Sequence, residues 1–394
     1  YLYKTNPKSL SYNIPCALCI EGEINQIILQ ECINHIIERH DSLRTRFIEK
    51  VGVPYQIIDY NESSTDYQIN YVKFDETINN EQIDLRVFEE TESCFNLFDE
   101  PLIKITLFNF KKDKYILLIL MHHIISDGWS LDILLTELCY LYQKKINKEL
   151  LLLPSLPIQY IDYASWLNKQ IQFNDRSKLF WERKLCNLSP LRLWTDYSRP
   201  IMKTDHGSTI FFFFSQKTNL LLKEFIRKHD ITLFMFFFSA YAILIKIISY
   251  ENSVAIGIPV SGRNQHDIEP LIGYFVNTII MRINFNDENC IYDILKQVRN
   301  EILESYAHQD YPIYKLQDEI CQERNPSYSP LFQVMFSLQN IQYDKYKIKN
   351  LKIKEYQIEN CTSKFDLTMM INCNDYELKG ALEFNTDLFF STTI

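Results

Sequence analysis

The sequence shows no excess of positive charge. Its 41 Lys and Arg are outnumbered by 50 Asp and Glu, giving a formal net charge of −9 and a sequence pI near 5.5. That balance argues against a general nucleic-acid binder, while leaving room for local basic patches toward acidic partners. Low-complexity runs are absent, so folded structure is expected nearly throughout. A disulfide framework is missing too. Ten cysteines are scattered over 394 residues, and the one close pair, Cys16 and Cys19 in "CALC", has no second pair at zinc-ligand spacing. Reduced thiols in a cytoplasmic protein, with no metal site, are the expectation. The opening "YLYKTNPKSL" carries no methionine, signal peptide or transit signature, and the closing "FNTDLFFSTTI" has no capped final element. Both ends are expected to be truncations of something longer. Long apolar runs are limited to "ITLFMFFFSAYAILIKIISY" (residues 231–250), which Thr232, Ser239 and Lys246 interrupt. A core helix capped by Asp230 is expected there, not a membrane span.

What is present fits an ordinary globular protein, 46% hydrophobic and 23% charged. The length exceeds what one core needs, so two lobes are expected, 1–165 and 166–394. Apolar residues recur at helical spacing in "INQIILQECINHII", and "PLIKITLFNF" and "KYILLILMHHI" read as strands joined by "KKDK". Leu131, Leu134, Leu135, Leu138 and Leu141 then mark a helix. A further helix leads toward "SKLFWERKL", and "LRLWTDYSRPIMKTDHGS" looks like a connection between the lobes. The second half repeats the mix: a long helix, a strand "SVAIGIPVSGR", a helix around "IYDILKQVRNEILESYAHQ", and four more strands. The class is α/β, an α+β sandwich in two layers.

The chemistry concentrates in "YILLILMHHIISDGWSLDILL" (residues 115–135), where an apolar strand runs into two histidines, an Asp-Gly and an amphipathic helix. Adjacent side chains on a strand point to opposite faces, so one of His122 and His123 is structural and the other can meet a substrate. Histidine titrates near neutrality and can accept or donate a proton in acyl transfer. Asp127 follows across a turn assigned to Gly128, with Ser130 as a candidate helix cap. Asp127 either orients the histidine directly or holds the turn through a buried cation, which requires an arginine from elsewhere. The plain alternative is two buried histidines satisfied by backbone groups.

"MHHIISDGWS" resembles the signature of condensation domains of nonribosomal peptide synthetases. In family order, "RHDSLRTRF" (residues 39–47), "YIDYASW" (160–166), "IGYFVNTIIMR" (272–282), "HQDYP" (308–312), "RNPSYSPLFQVMFSLQN" (324–340), "SKFDLT" (363–368) and "LEFNTDLF" (382–389) resemble its other motifs. The resemblance spans nearly the whole chain. The family's opening motif would precede Tyr1.

The resemblance implies two chloramphenicol acetyltransferase-like lobes forming a V, with the active-site tunnel at their seam. It implies that an acceptor aminoacyl thioester attacks a donor acyl or peptidyl thioester, each on the phosphopantetheine arm of a carrier protein. No cofactor is bound by the domain itself, and an adenylation domain is expected in the same polypeptide. His123 acts as general base or positions the amine, since orienting two reactants can itself remove roughly 7–11 kcal/mol of barrier at best. Asp127 bridges to an arginine, with Arg263 the first choice and Arg282 and Arg44 weaker ones. Gly128 supplies a bend and an amide for the oxyanion. Arg39 and Arg44 are scaffold residues, and Asn277, His308 and Asn340 satisfy polar groups near the seam. "SGRNQHDIEPLIGYF" is a loop crossing between lobes. His122 argues against heterocyclisation, where aspartate replaces it. "IGYFVNT" and "HQDYP" favour an L-configured donor. The rivals are an epimerisation domain, a starter domain, a free-standing acyl-CoA acyltransferase and a non-catalytic partner-recruiting homologue.

Overall fold

A computed structural model of the chain describes residues 2–59, 67–75, 77–170, 174–320, 325–339, 345–358, 360–373 and 378–394. They form two compact units. The first comprises Tyr1–Asn168, Arg263–Phe275 and Gln342–Glu359, and the second Lys169–Gly262, Val276–Ile341 and Asn360–Ile394. One cut at 165/166 therefore does not describe the division. Two segments of the later half belong to the first unit, and the Pro-containing stretch 191–208 lies inside the second.

The first unit contains α1 (Leu2–Thr5), β1 (Asn13–Glu21), α2 (Gln26–Arg39), β2 (Thr45–Lys50), β3 (Val53–Ile58), β4 (Asn70–Lys73), α3 (Asn80–Thr91), β5 (Ile103–Lys111), β6 (Lys114–His122), α4 (Gly128–Ile146) and most of α5 (Tyr160–Gln170). Strand β6 reads as one unbroken apolar run because both its faces are covered. Leu117, Ile119 and Met121 pack with Ile33, Ile36 and Ile37 of α2 and Leu134, Leu138 and Leu141 of α4. Ile116 and Leu118 pack with Ile83 and Val87 of α3. The β5–β6 hairpin turns at Lys112 and Asp113, where Asp113 takes a left-handed conformation (φ 56°) and the register shifts between Asn109 and Lys111.

The second unit contains α6 (Asp175–Lys184), β7 (Gly207–Phe213), α7 (Gln216–His229), α8 (Leu233–Ser249), β8 (Ser253–Val260), β9 (Asn277–Asn284), α9 (Ile291–Tyr306), α10 (Ile313–Ile320) and β10 (Val334–Gln339). After β11 (Lys352–Glu355), which belongs to the first unit, come β12 (Leu367–Cys373) and β13 (Leu378–Asn385). The first unit's main sheet has the order β11-β1-β6-β5-β4, and the second unit's β7-β13-β12-β10-β8-β9. Both sheets are open and mix parallel with antiparallel pairs, an α/β architecture without a closed barrel. The helix expected toward "SKLFWERKL" is two helices, α5 and α6.

Helix α8 is the expected core helix: Phe238, Tyr241, Ala242 and Ile245 lie buried with Ile256, Met281 and Phe336 of the sheet. Its cap is Thr232, whose hydroxyl accepts from Met235 N at 3.1 Å. Asp230 instead ends α7 in a left-handed conformation, so the cap falls two residues later than the sequence pattern indicated. Among the described residues no single helix is long and apolar enough to cross a membrane. Helices α7 and α8 pass such a test only together, bent by 103° at their break.

Candidate active site

Strand β6 ends at His122, and the next residue opens the turn. The extended geometry holds the two histidines apart through backbone pairing: His122 N donates to Leu102 O at 2.9 Å, and His123 N to Tyr12 O at 2.7 Å. His122 Nδ1 accepts from Ile124 N at 3.1 Å. Its ring lies between Tyr12, stacked at 6.3 Å, and Phe95, edge-on at 6.0 Å. This is the setting of a structural histidine.

His123 is oriented differently. Its Nδ1 lies 2.9 Å from Ser126 O. A carbonyl oxygen can only accept, so Nδ1 carries the proton and Nε2 is the acceptor nitrogen of the neutral ring. The Tyr274 ring stands perpendicular to it, with centroids 5.2 Å apart.

The Asp127 carboxylate is engaged by the start of α4 and by the Arg263–Phe275 segment. Asp127 is the N-cap of α4, and its Oδ1 accepts from Ser130 N and Ser130 Oγ, both at 2.7 Å, and from Arg263 Nη2 at 3.2 Å. Its Oδ2 accepts from Phe275 N at 3.1 Å. Ser130 is thus not the cap but the first residue the cap binds. Both charged side chains of the pair are fully buried. A buried carboxylate without such partners would cost several kcal/mol, so the arginine is what permits Asp127 here (penalty roughly several kcal/mol per ion).

Arg263 lies three residues beyond the end of β8 and spends its remaining donors on backbone. Its Nη1 donates to Ile268 O and Leu271 O, each at 2.7 Å. Burial lowers the guanidinium from its usual range, and the charge of Asp127 and its hydrogen bond oppose that shift. The Phe275 ring centre lies 4.0 Å from the guanidinium carbon. Ser130 Oγ completes the knot: its two lone pairs accept from Gly273 N at 3.0 Å and Arg263 Nη2 at 2.9 Å, and its single O–H is shared between Asp127 Oδ1 at 2.7 Å and Gly273 O at 2.8 Å. The segment Arg263–Phe275 is therefore fastened to the His123 turn by one carboxylate, one hydroxyl and one guanidinium.

Gly128 departs from expectation. It is the first residue of α4, has no left-handed backbone, and a Cβ built there meets nothing within 4 Å. Neither the turn nor crowding by protein atoms requires glycine. Open space beside Asp127 is what its missing side chain leaves.

The other expected residues lie elsewhere. Arg39 Nε donates to Glu137 Oε1 at 3.0 Å and its Nη2 to Pro154 O at 2.6 Å. Arg44 pairs with Asp41 at 2.6 Å and binds the carbonyls of Ile37 and Asp59. Arg282 binds Ser253 Oγ and the carbonyls of Lys184 and Cys186. Asn277 Nδ2 donates to Gln309 O and Tyr311 O, and His308 Nδ1 pairs with Ser177 Oγ at 2.9 Å. Asn340 lies outside the described residues. Among the described residues no cluster of three or more His, Cys, Asp or Glu is arranged to hold a metal ion.

Two features were not anticipated from the sequence. Ser130 is the hub, and its signal was present: Asp-x-x-Ser at a helix start is a capping pattern. The second is His40, fully buried, whose Nε2 lies 3.0 Å from Glu137 Oε2.

The chain that carries this site matches known proteins over its full length. The condensation-domain family model matches residues 1–394, and the chain belongs to that family. A linear gramicidin synthase of Brevibacillus parabrevis is 35% identical over 404 residues, covering 100% of this chain and 8% of that protein. The chain thus spans under a tenth of that relative's length. Among solved structures, the X-domain from teicoplanin biosynthesis superposes with a TM-score of 0.89 at 20% identity, covering 98% of this chain and 88% of that one. A four-domain nonribosomal peptide synthetase bound to AMP and glycine superposes with a TM-score of 0.88 at 22% identity, covering 100% of this chain and 31% of that one. These two likenesses fix the fold.

Proposed function

We propose that this chain joins a donor acyl or peptidyl thioester to an acceptor aminoacyl thioester, both carried on phosphopantetheine arms of carrier domains, as a step of nonribosomal peptide synthesis. The acceptor amine adds to the donor carbonyl, the new C–N bond forms, the C–S bond breaks, and the donor thiol leaves with a proton. The observation that carries this reading is the Nδ1–H of His123 held on Ser126 O. That tautomer turns a lone pair at Nε2 toward the chemistry, where it takes a proton from the amine or holds the amine in line. The open space at Gly128 supports it, because a reacting chain can pass one residue from the buried Asp127 without meeting a side chain. Asp127 and Arg263 act by holding the turn. The carriers and an adenylation domain are the expected partners, with a donor of L configuration, in the cytoplasm.

The test loads donor and acceptor carriers and weighs the acceptor carrier intact, with His123→Ala alongside. The expected result is a dipeptidyl mass that largely disappears in the variant. A mass that persists undiminished would remove His123 from the reaction. No condensed product from any loaded pair, with inversion of a carrier-bound residue instead, would point to epimerisation. Turnover of acyl-CoA without carriers would point to a free-standing acyltransferase.

A further inference from the structure

We propose that Tyr274 is a second substrate-contacting group of this site, its phenol donating a hydrogen bond to the thioester carbonyl oxygen as that oxygen becomes negative. The inference rests on the condensation reaction proposed for His123 and assigns it a donor to complement the acceptor there.

Four observations carry it. Tyr274 is 43% exposed although Leu271, Ile272 and Phe275 around it are at most 4% exposed. One aromatic side chain is thus left out of an otherwise buried segment. Its ring stands 5.2 Å from that of His123, near perpendicular. Its backbone is fixed on both sides: Gly273 N and O are bound by Ser130 Oγ, Tyr274 O accepts from Tyr160 Oη at 2.8 Å, and Phe275 N is held by Asp127. The segment has little freedom to rotate, because a Cβ at Gly273 would lie 2.2 Å from the Tyr160 ring. Finally, its hydroxyl has no hydrogen-bond partner among the described residues, whereas the buried Tyr160 hydroxyl has one.

The chemistry needs such a group. Amine addition to a thioester puts negative charge on the carbonyl oxygen, and Nε2 of His123 is committed to the amine and leaves that oxygen without a donor from the imidazole. A preorganised O–H aimed at the oxygen is the complement. Partial burial and the charge of Asp127 raise the phenol above its ordinary 10, so the proton stays in place as a donor at neutral pH.

The experiment compares Tyr274→Phe with wild type, both in the full-length polypeptide, in single-turnover condensation, varying the acceptor-carrier concentration. Phenylalanine keeps the ring against His123 and the loop packing, so an unchanged thermal unfolding midpoint is expected. The rate at saturating acceptor should fall about 10²-fold, as removal of one oxyanion donor does elsewhere, with half-saturation little changed. A wild-type rate, or a change confined to half-saturation, overturns the assignment while condensation through His123 stands. Absence of condensation by the wild-type chain overturns both.

Discussion

Asp127 and Arg263 stand 136 positions apart in sequence, yet Oδ1 and Nη2 meet at 3.2 Å with both side chains fully buried. The pair joins the cap of α4 to the segment carrying Gly273 and Tyr274. It fixes two walls of the His123 environment at once.

Removing one member should expose how much depends on it. Arg263→Met leaves a buried carboxylate with no counter-charge, and breaking such a pair costs about 3–5 kcal/mol. Urea unfolding should show a loss of that size. Asp127→Asn in the same background should recover part of it, because the uncompensated charge is gone. A loss below about 0.5 kcal/mol, the range of neutral surface changes, would contradict the burial described.

Two glycines should respond oppositely. Gly273→Ala drives a methyl into the Tyr160 ring, 2.2 Å from Cδ2, and overpacking of that kind costs about 1–3 kcal/mol. At Gly128 a methyl meets nothing, so Gly128→Ala should leave stability within about 0.5 kcal/mol while slowing condensation. Paired thermal unfolding and carrier-mass assays separate the two. Unimpaired condensation by Gly128→Ala would show that the space there is not used.

Stability should weaken in acid through Glu137. Burial alone would raise its carboxyl, but the hydrogen bond and charge of His40, with those of Arg39, bring it below the ordinary 4.5. A carboxylate depressed on folding stabilises above its unfolded value, and that contribution is lost as pH falls through the folded value. The stability gap between wild type and Glu137→Gln should therefore be full at pH 7 and close steadily below pH 4.5. Unfolding midpoints from pH 7 to 3 would reveal a constant gap if the cluster were not charged.

Cysteine reactivity should divide by burial. Cys16, Cys32 and Cys139 are pushed up to about 12 by burial, and reactivity needs the thiolate. Cys94, Cys186, Cys290 and Cys361 are exposed. At pH 8 a maleimide should label these four, the exposed cysteines among the described residues, in the native protein and reach the buried Cys16 and Cys32 only after denaturation. Rapid native labelling of Cys32, whose side chain lies wholly inside the first unit's core, would contradict that core.

Much of the local structure was legible because it depends on near neighbours. The hairpin at Lys112–Asp113, the strand into His122 and the leucine spacing of α4 follow from period and turn chemistry within about ten residues. Arg263 was legible as a partner for a different reason. A buried carboxylate demands a cation, and few arginines close an apolar strand. Where capping chemistry offered two candidates, the pattern erred: Thr232, not Asp230, caps α8, and Asp127, not Ser130, caps α4. Asp, Ser and Thr all serve as caps, and the backbone conformation selects among them.

Sequence was enough for the elements, the family and the strand-to-helix delivery of His123, because short-range periodicity and motif order encode them. The remainder came from the closed fold. It assigned the segments Arg263–Phe275 and Gln342–Glu359 to the first unit. It made Ser130 the hub between Asp127, Arg263 and Gly273, and it turned Tyr274 toward His123. Those outcomes depend on which distant groups satisfy one another's buried charges and hydrogen bonds, a condition that exists only once the chain has closed around them.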